Sequence, residues 1–508
     1  MKNPTSTTAA AGTAGRKEWT AFVVLLLPLL LVSMDVSVLY FAAPSITREL
    51  DPSATQQLWI FDVYGFALAG LLITMGSLGD RIGRRKLLLF GAAAFGLASV
   101  GAAYAQSAEM LIAARALLGI GGATLMPSTM ALVRNMFTDE KQRTKAIGIW
   151  SGAMAGGIAL GSVMSGIMLE HFWWGSVFLI NVPAMVLLLI LVPVLVPEFK
   201  DPNPGRFDLV SIPLSMGSVL PVIYGLKEIA SNGFSVPMIL LIALGAALGY
   251  VFVRRQRTAP HAMINPSLFR DRRFGAGISL NTIAALAMMG SALFTTQYLQ
   301  LILGMSTMEA AFWSLAPSIA VGIAAPTAGA LGQKYDRAYV MAGGFLIGAV
   351  GFALLILSGT DSLWIVLVGA GIISCGIVTV MVLVTDMALG TAPVEKAGSA
   401  ASLLETGQEF GGALGMAVLG SIATAVYRSD MPSSAPSAAR ETLGGAAATG
   451  DAGLLHTAQE AFVHGMQYAA VGGSAVLVAG AVLTLTVLRG VGSTPVPAKE
   501  TKELAAVA

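Results

Sequence analysis

Long apolar runs broken by short polar segments dominate the chain. The first six cover residues 19–44, 57–78, 87–105, 109–133, 146–169 and 174–196. Two more cover 208–228 and 236–253, and the last six cover 275–303, 308–331, 339–358, 363–388, 398–425 and 462–488. A helix needs about 20 apolar residues to cross the hydrocarbon of a bilayer. The pattern therefore predicts an all-α integral membrane protein with fourteen transmembrane helices.

Composition agrees, with 55% hydrophobic and 11% charged residues, against about 25% charged in soluble domains. Net charge is +2, so the placement of charge says more than its sum. With the N-terminus inside and the spans alternating, 25 of the 30 Lys and Arg residues fall on the inner side. Arg48, Arg115, Lys227, Arg428 and Arg440 are the remainder. Basic residues collect on the cytoplasmic side of membrane proteins, so both termini are expected in the cytoplasm. The first span is too long for a signal-peptide core and lacks a clear cleavage site, so it reads as a retained helix.

The expected organisation is a cytoplasmic tail (1–18), a six-helix bundle (19–196), and a linker with two extra transmembrane helices (197–273). A second six-helix bundle (274–488) and a cytoplasmic tail (489–508) follow. The linker opens on the proline-rich Pro197–Pro204, and its basic end, Arg254–Arg273, is expected along the anionic inner leaflet. The external loop 427–460 is unusually long, and reads either as disordered or as a small cap. Cys375, the single cysteine, reads as a packing residue, and His171, His261, His456 and His464 form no ligand spacing. No metal, cofactor, nucleic acid or catalytic group is expected, and no nucleophile–base set points to an enzyme.

A charge within a span is a functional candidate by default. Asp35 sits deep in the first span, Asp62 one turn into the second, Arg115 in the fourth, and Glu405 and Glu409 in the thirteenth. Asp386, near the inner end of the twelfth, reads as interfacial. Glu405 and Glu409 are four apart and share one helix face. Two such carboxylates in a low dielectric cannot both ionise cheaply, a property that a proton carrier or a proton-for-cation exchange site needs. Their structural alternative is a wet crevice or pairing with a base. Arg115 stays cationic where water is scarce and needs an anionic partner, for which Asp35 and Asp62 are the candidates. That pair is either structural or broken on protonation.

The loop after the second span reads Gly76-Ser77-Leu78-Gly79-Asp80-Arg81-Ile82-Gly83-Arg84-Arg85-Lys86. An ordinary basic loop would serve topology alone, but this spacing resembles the signature between helices 2 and 3 of the major facilitator superfamily of secondary transporters. A degraded echo, Gly329-Ala330-Leu331-Gly332-Gln333-Lys334-Tyr335-Asp336-Arg337, follows 253 residues later. The resemblance implies two related halves with substrate near the midplane between them. It also implies a conformational latch built from Gly76, Asp80, Arg81, Gly83 and Arg84. In that latch Asp80 is expected to face the helix that follows it, and Arg81 and Arg84 to bind across to the other half.

Leu111–Gly122, with Arg115, resembles the fourth-helix signature of proton-driven members, which implies that Arg115 takes part in proton coupling. Gly157–Gly166 resembles the antiporter signature of the fifth helix, departing from it at Ser162 and Ser165. Gly157, Gly161 and Gly166 there allow close helix packing. Met34–Pro44, Leu58–Tyr64, Trp173–Pro183 and Glu405–Gly411 narrow the likeness to the fourteen-helix drug:proton antiporter family. The chain is similar to bacterial exporters of quaternary ammonium compounds, methyl viologen and cationic dyes. No further acid lies in 316–331, where some of those exporters carry one.

The resemblance implies a proton-coupled efflux antiporter of the bacterial inner membrane, working as a monomer among membrane lipids. Asp35, Arg115, Glu405 and Glu409 would couple protons. Asp35, Asp62, Glu405 and Glu409 would bind lipophilic cations, with Trp59, Tyr64, Trp150, Met289 and Trp313 as aromatic and soft lining. A proton-coupled importer or a lipid flippase on the same fold is the alternative, because fold does not fix function.

Overall fold

A computed structural model describes residues 14–52, 54–201, 208–259, 262, 264, 266–447 and 449–489. Most of both expected tails, and 202–207 of the expected linker, lie outside the described residues.

Among those residues the architecture is all-α, with fourteen helices of fifteen residues or more. They are α1 (Arg16–Leu50), α2 (Ala54–Ile82), α3 (Arg84–Ala103), α4 (Ala108–Met136), α5 (Glu140–His171), α6 (Asn181–Leu195) and α7 (Ser211–Asn232). They continue as α8 (Val236–Thr258), α9 (Arg272–Gln297), α10 (Leu315–Lys334), α11 (Arg337–Leu355), α12 (Leu363–Thr391), α13 (Ala397–Asp430) and α14 (Ala452–Leu488). Each falls on one of the expected apolar runs. In lipid every backbone N–H and C=O needs an internal partner, and a continuous helix supplies it. Twelve helices among the described residues are long and apolar enough to cross a membrane by length and composition. Helix α7 adds a shorter apolar stretch, Ser211–Leu226.

Packing repeats with an offset of eight helices. Helix α1 packs on α5 and α6, α4 on α2 and α3, and α3 on α6. In the same way α9 packs on α13 and α14, α12 on α10 and α11, and α11 on α14. Between the two sets, α2 meets α13 and α5 meets α10, again a symmetric exchange. The pair α7–α8 stands apart from this repeat. Helix α7 packs against both α2 and α13, where Ile223 is buried with Ala69 and Ala413.

The base of the α7–α8 pair is clasped by Asp208. Its carboxylate accepts two hydrogen bonds from the Arg255 guanidinium (2.9 and 2.8 Å) and one from the Ser211 hydroxyl (2.6 Å). Gln256 extends the clasp, donating to Ser211 (2.7 Å) and accepting from the Ile264 amide (2.9 Å). The Arg255 hydrogen bonds, with help from Ser211, hold the Asp208 carboxyl down at about 2. A depressed carboxyl contributes stability above its unfolded value of about 3.9 and loses it as pH falls through the folded value. The melting temperature of Asp208→Asn should therefore lie below that of the native chain by a constant interval between about pH 5 and 8. The interval should begin to close only below about pH 4; an interval that varies across the neutral range would contradict this assignment.

The segment between α13 and α14 is a small cap rather than a featureless loop. Helix α13 runs on to Asp430, and two short helices, Ser437–Glu441 and Leu443–Ala447, precede α14. Ala439, Leu443 and Ala446 are buried there, and the Tyr427 hydroxyl donates to the Ala439 carbonyl at 2.7 Å.

Candidate functional site

Of the charges expected within the spans, Asp35 with Arg115 and Glu405 with Glu409 make two groups, and Glu409 lies within electrostatic reach of Tyr64 beside the first. In the first, Arg115 of α4 bonds Asp35 of α1, so of its two candidate partners it takes Asp35. Both side chains are buried. The guanidinium also donates to the Ile60 carbonyl at 3.2 Å and lies 4.7 Å from the centroid of the Tyr64 ring. The Tyr64 hydroxyl donates to the Val32 carbonyl (3.3 Å), tying α2 to α1. One oxygen of Asp35, Oδ1, has no hydrogen-bond partner among the described residues.

The second group is Glu405 and Glu409 of α13. Glu405 is 1% exposed, and neither carboxyl oxygen has a hydrogen-bond partner among the described residues. A charged carboxylate so placed has neither water nor a donor to stabilise it. Glu409, one turn on, is exposed, and its charge acts on both Glu405 and Tyr64. It thus links the two groups electrically. Helix α13 holds these acids while lying unusually close to α9. A Cβ on Gly411 would meet the Thr282 carbonyl oxygen at 2.3 Å, and one on Gly415 the Leu286 oxygen at 2.1 Å. Asn281 of α9 donates to the Leu404 carbonyl (2.9 Å), next to Glu405.

The expected lining is scattered. Tyr64 lies against the Arg115–Asp35 pair. Trp150 is buried on α5, its indole N–H without a partner among the described residues. Trp59 is 45% exposed near the start of α2 and packs edge-on to Phe66 at 6.2 Å. Met289 is equally exposed, beside Gly412. Asp62 is half-buried. Trp313 sits in the α9–α10 connection, packed at right angles on Trp364 with centroids 5.5 Å apart. Gly157 lets α5 approach α1, where an added Cβ would meet the Leu30 oxygen at 2.8 Å. The Ser165 hydroxyl donates to the Gly161 carbonyl (2.6 Å). Gly166 is half-buried, and the side chain of Ser162 lies outside the described residues.

The glycine- and arginine-rich loop is arranged differently from the expectation. Asp80 pairs with the Arg84 side chain of the helix after it but does not cap that helix's amides. Its carboxylate crosses to the first turn of α13, accepting from the backbone amides of Gly398 and Ser399 (both 2.9 Å) and from the Ser399 hydroxyl (2.8 Å). A helix N-terminus offers free amides and partial positive charge, so it attracts a carboxylate. Arg84 turns back on Asp80, at 3.0 and 2.7 Å. Arg81 lies within electrostatic reach of Asp201, Asp80 and Asp208. Gly76 and Gly398 allow the approach, since a Cβ on Gly76 would meet the Gly398 oxygen at 2.6 Å, and one on Gly398 the Gly76 oxygen at 2.7 Å. Gly83 has φ +113°, and a Cβ there would lie 2.6 Å from the Glu198 carboxyl carbon. Glycine is thus required at 83 for both backbone and space.

A second contact of the same kind was hidden in the sequence. Asp386 of α12, read as interfacial, is 0% exposed. It accepts from Arg143 (2.6 Å) and Thr144 (2.8 Å) of α5 and pairs with Arg337 (3.0 Å), which also bonds Glu140. In the echo sequence the position equivalent to Asp80 is Gln333, and that equivalent to Arg84 is Arg337. The echo thus keeps the arginine and loses the acid, and Asp386 of the neighbouring helix supplies it. The signal that could have found Asp386 is a carboxylate in an apolar span opposite an unmatched arginine.

Comparison with known proteins fits this geometry. A family model described as Major Facilitator Superfamily matches residues 25–416. The multidrug efflux pump LfrA of Mycolicibacterium smegmatis is 43% identical over 440 residues, covering 85% of this chain and 87% of that one. The methyl viologen resistance protein SmvA of Salmonella typhimurium is 34% identical over 413 residues, covering 80% and 82%. Among solved structures, the human organic anion transporter MFSD10 superposes with a TM-score of 0.59 over 92% of this chain and 99% of its own, at 13% identity. At that identity the likeness concerns the fold alone.

Proposed function

This chain belongs to the Major Facilitator Superfamily of membrane transporters, and we propose that it exports lipophilic organic cations from the bacterial cytoplasm in exchange for protons. The cargo would include quaternary ammonium compounds and cationic dyes, and the site would be the bacterial inner membrane. The observation that carries the exchange is Glu405, buried with both oxygens unpartnered among the described residues and one turn from the exposed Glu409. Such a pair accepts a proton or an organic cation, and binding either one removes the negative charge that holds the other. The relatives named above, a multidrug pump and a methyl viologen resistance protein, support drug-like cationic cargo.

In the proposed cycle two bundles, 19–196 and 274–488, rock about the central acids, with fourteen crossings and both termini in the cytoplasm. The Asp80–α13 contact and the Asp386 cluster close the inner side, so the acids are reached from outside. Protons entering there neutralise Glu405 and Glu409 and release the cation. Protonation of Asp35 also loosens its hold on Arg115, which couples the first bundle to the exchange. The inner contacts then part, protons leave to the cytoplasm, and a cation from the cytoplasm or inner leaflet takes their place. Only differential affinity for the two states can drive such a shift. The protein works as a monomer surrounded by lipid, and needs no cofactor. Each proton imported beyond the cation's charge adds about 2.3 kcal/mol per 100 mV of membrane potential.

The test is ethidium movement in inverted membrane vesicles containing the protein. An imposed proton gradient should drive dye into the lumen, and an uncoupler should abolish the uptake. Dye uptake that persists with the uncoupler, or dye that leaves the lumen when the gradient is imposed, would refute proton-driven export.

A further inference from the structure

Just after α6, the chain Glu198-Phe199-Lys200-Asp201 lies across the inner ends of α2 and α3. Each of its bonds there satisfies a backbone group that a helix end leaves free. The Asp201 amide donates to the Asp80 carbonyl, in the last turn of α2, at 2.6 Å. The Glu198 carboxylate accepts from the Arg85 and Lys86 amides at 3.0 and 3.2 Å. That carboxylate supplies the side-chain cap that Gly83, at the N-cap of α3, has no atoms to give. The Phe199 carbonyl accepts from the Arg84 amide at 3.0 Å. Arg85 returns the contact, donating to the Val196 and Pro193 carbonyls at the end of α6 (3.0 and 3.3 Å). All these bonds tie the segment to the first six helices.

Its side-chain bond to the other half is of a different kind. The Asp201 carboxylate pairs with the Lys396 ammonium at 2.5 Å, with side-chain exposures of 9% and 28%. Lys396 is the N-cap residue of α13, two positions before Gly398, whose amide binds Asp80. One residue thus grips both sides, with its backbone on Asp80 and its side chain on the helix that Asp80 caps. The oxygen–nitrogen contact with Lys396 is released by a small displacement, whereas the backbone bonds on the other side are several and mutually supporting.

We propose that Glu198–Asp201 is a strap belonging to the inner-side latch. Asp201 is its positioning residue, and Asp201–Lys396 is the ion pair that must break whenever α13 leaves Asp80. The strap is a permanent part of the first bundle, and its grip on Lys396 sets how readily the inner side opens. The segment that joins the two halves therefore takes part in the conformational change instead of merely spanning it. This rests on the rocking cycle proposed above but on nothing about its cargo.

The experiment measures conformation without substrate. In a Cys375→Ser background, nitroxide labels are placed at Lys86→Cys and Glu395→Cys, both exposed positions on opposite sides of the seam. Pulsed dipolar spectroscopy on purified protein in lipid nanodiscs gives the distribution of distances between them. Lys396→Met and Asp201→Asn should each raise the ratio of long to short distances by roughly 5-fold, the scale of one partly exposed ion pair. Lys396→Arg, which keeps the charge, should retain the native distribution. Superimposable distributions for the native, Met and Asn proteins would overturn the proposal. So would equal shifts in Lys396→Met and Lys396→Arg, which would assign the effect to shape rather than charge. A chain that carried some other cargo would still give the predicted shifts, so failure of the export reading and failure of the strap are told apart.

Discussion

Asp35→Asn should abolish cation export, lowering the rate by about 100-fold, which corresponds to roughly 3 kcal/mol of lost function. The substitution keeps the shape of the side chain and removes its charge. Arg115, 1% exposed, would then face a neutral amide, with only the Ile60 carbonyl and the Tyr64 ring left to stabilise its guanidinium. Removing one partner of a buried ion pair typically costs about 3–5 kcal/mol, because the other charge stays behind. The melting temperature should therefore fall as well, and that fall identifies the electrostatic cause. Neutralising both residues, as Asp35→Asn with Arg115→Gln, should recover much of the stability and none of the transport. The pair is close enough for such non-additivity. Export comparable to the native chain in Asp35→Asn, measured at matched membrane abundance, would remove Asp35 from the mechanism.

Glu405→Gln should have an equally large effect on transport and the opposite effect on stability. The native carboxyl makes no hydrogen bond with the described residues, so the amide loses none. A buried group that has no need to take up a proton is no worse, so the melting temperature should hold or rise. Proton-driven uptake of ethidium into inverted vesicles should fall to the level of empty vesicles. Exchange of dye across the membrane without a gradient should persist, because Glu409 still offers a carboxylate. A Glu405→Gln protein that kept gradient-driven uptake would place the coupling proton elsewhere, with Glu409 and Asp35 the remaining acids.

The helices and the in-span charges were legible because each is a local property of the chain. Apolar length fixes where α1 to α14 lie, and a carboxylate such as Asp35 or Glu405 stands out against its own neighbours. The contacts made by Asp80 were not legible in the same way. Its donors are backbone amides of Gly398 and Ser399, more than 300 residues away in the chain, and every residue but proline has such an amide. Arg84 was expected to bind across the seam because arginine commonly does. It bonds Asp80, four residues before it in the chain, and Asp80 in turn caps α13. Asp386 was passed over because the end of a span is where a charge costs least, yet α5 and Arg337 bury it completely. Trp313, expected as lining from its apolar run, lies in the α9–α10 connection with its ring edge-on to Trp364.

The most direct measurement is the affinity of purified protein for ethidium as a function of pH, with proton release on binding recorded in weakly buffered solution. Affinity should fall steadily on acidification, binding should eject protons, and Glu405→Gln should flatten the pH dependence and reduce the ejection. Affinity that is level from alkaline to acid medium, with no protons released, would contradict competition between proton and cation for the same carboxyls.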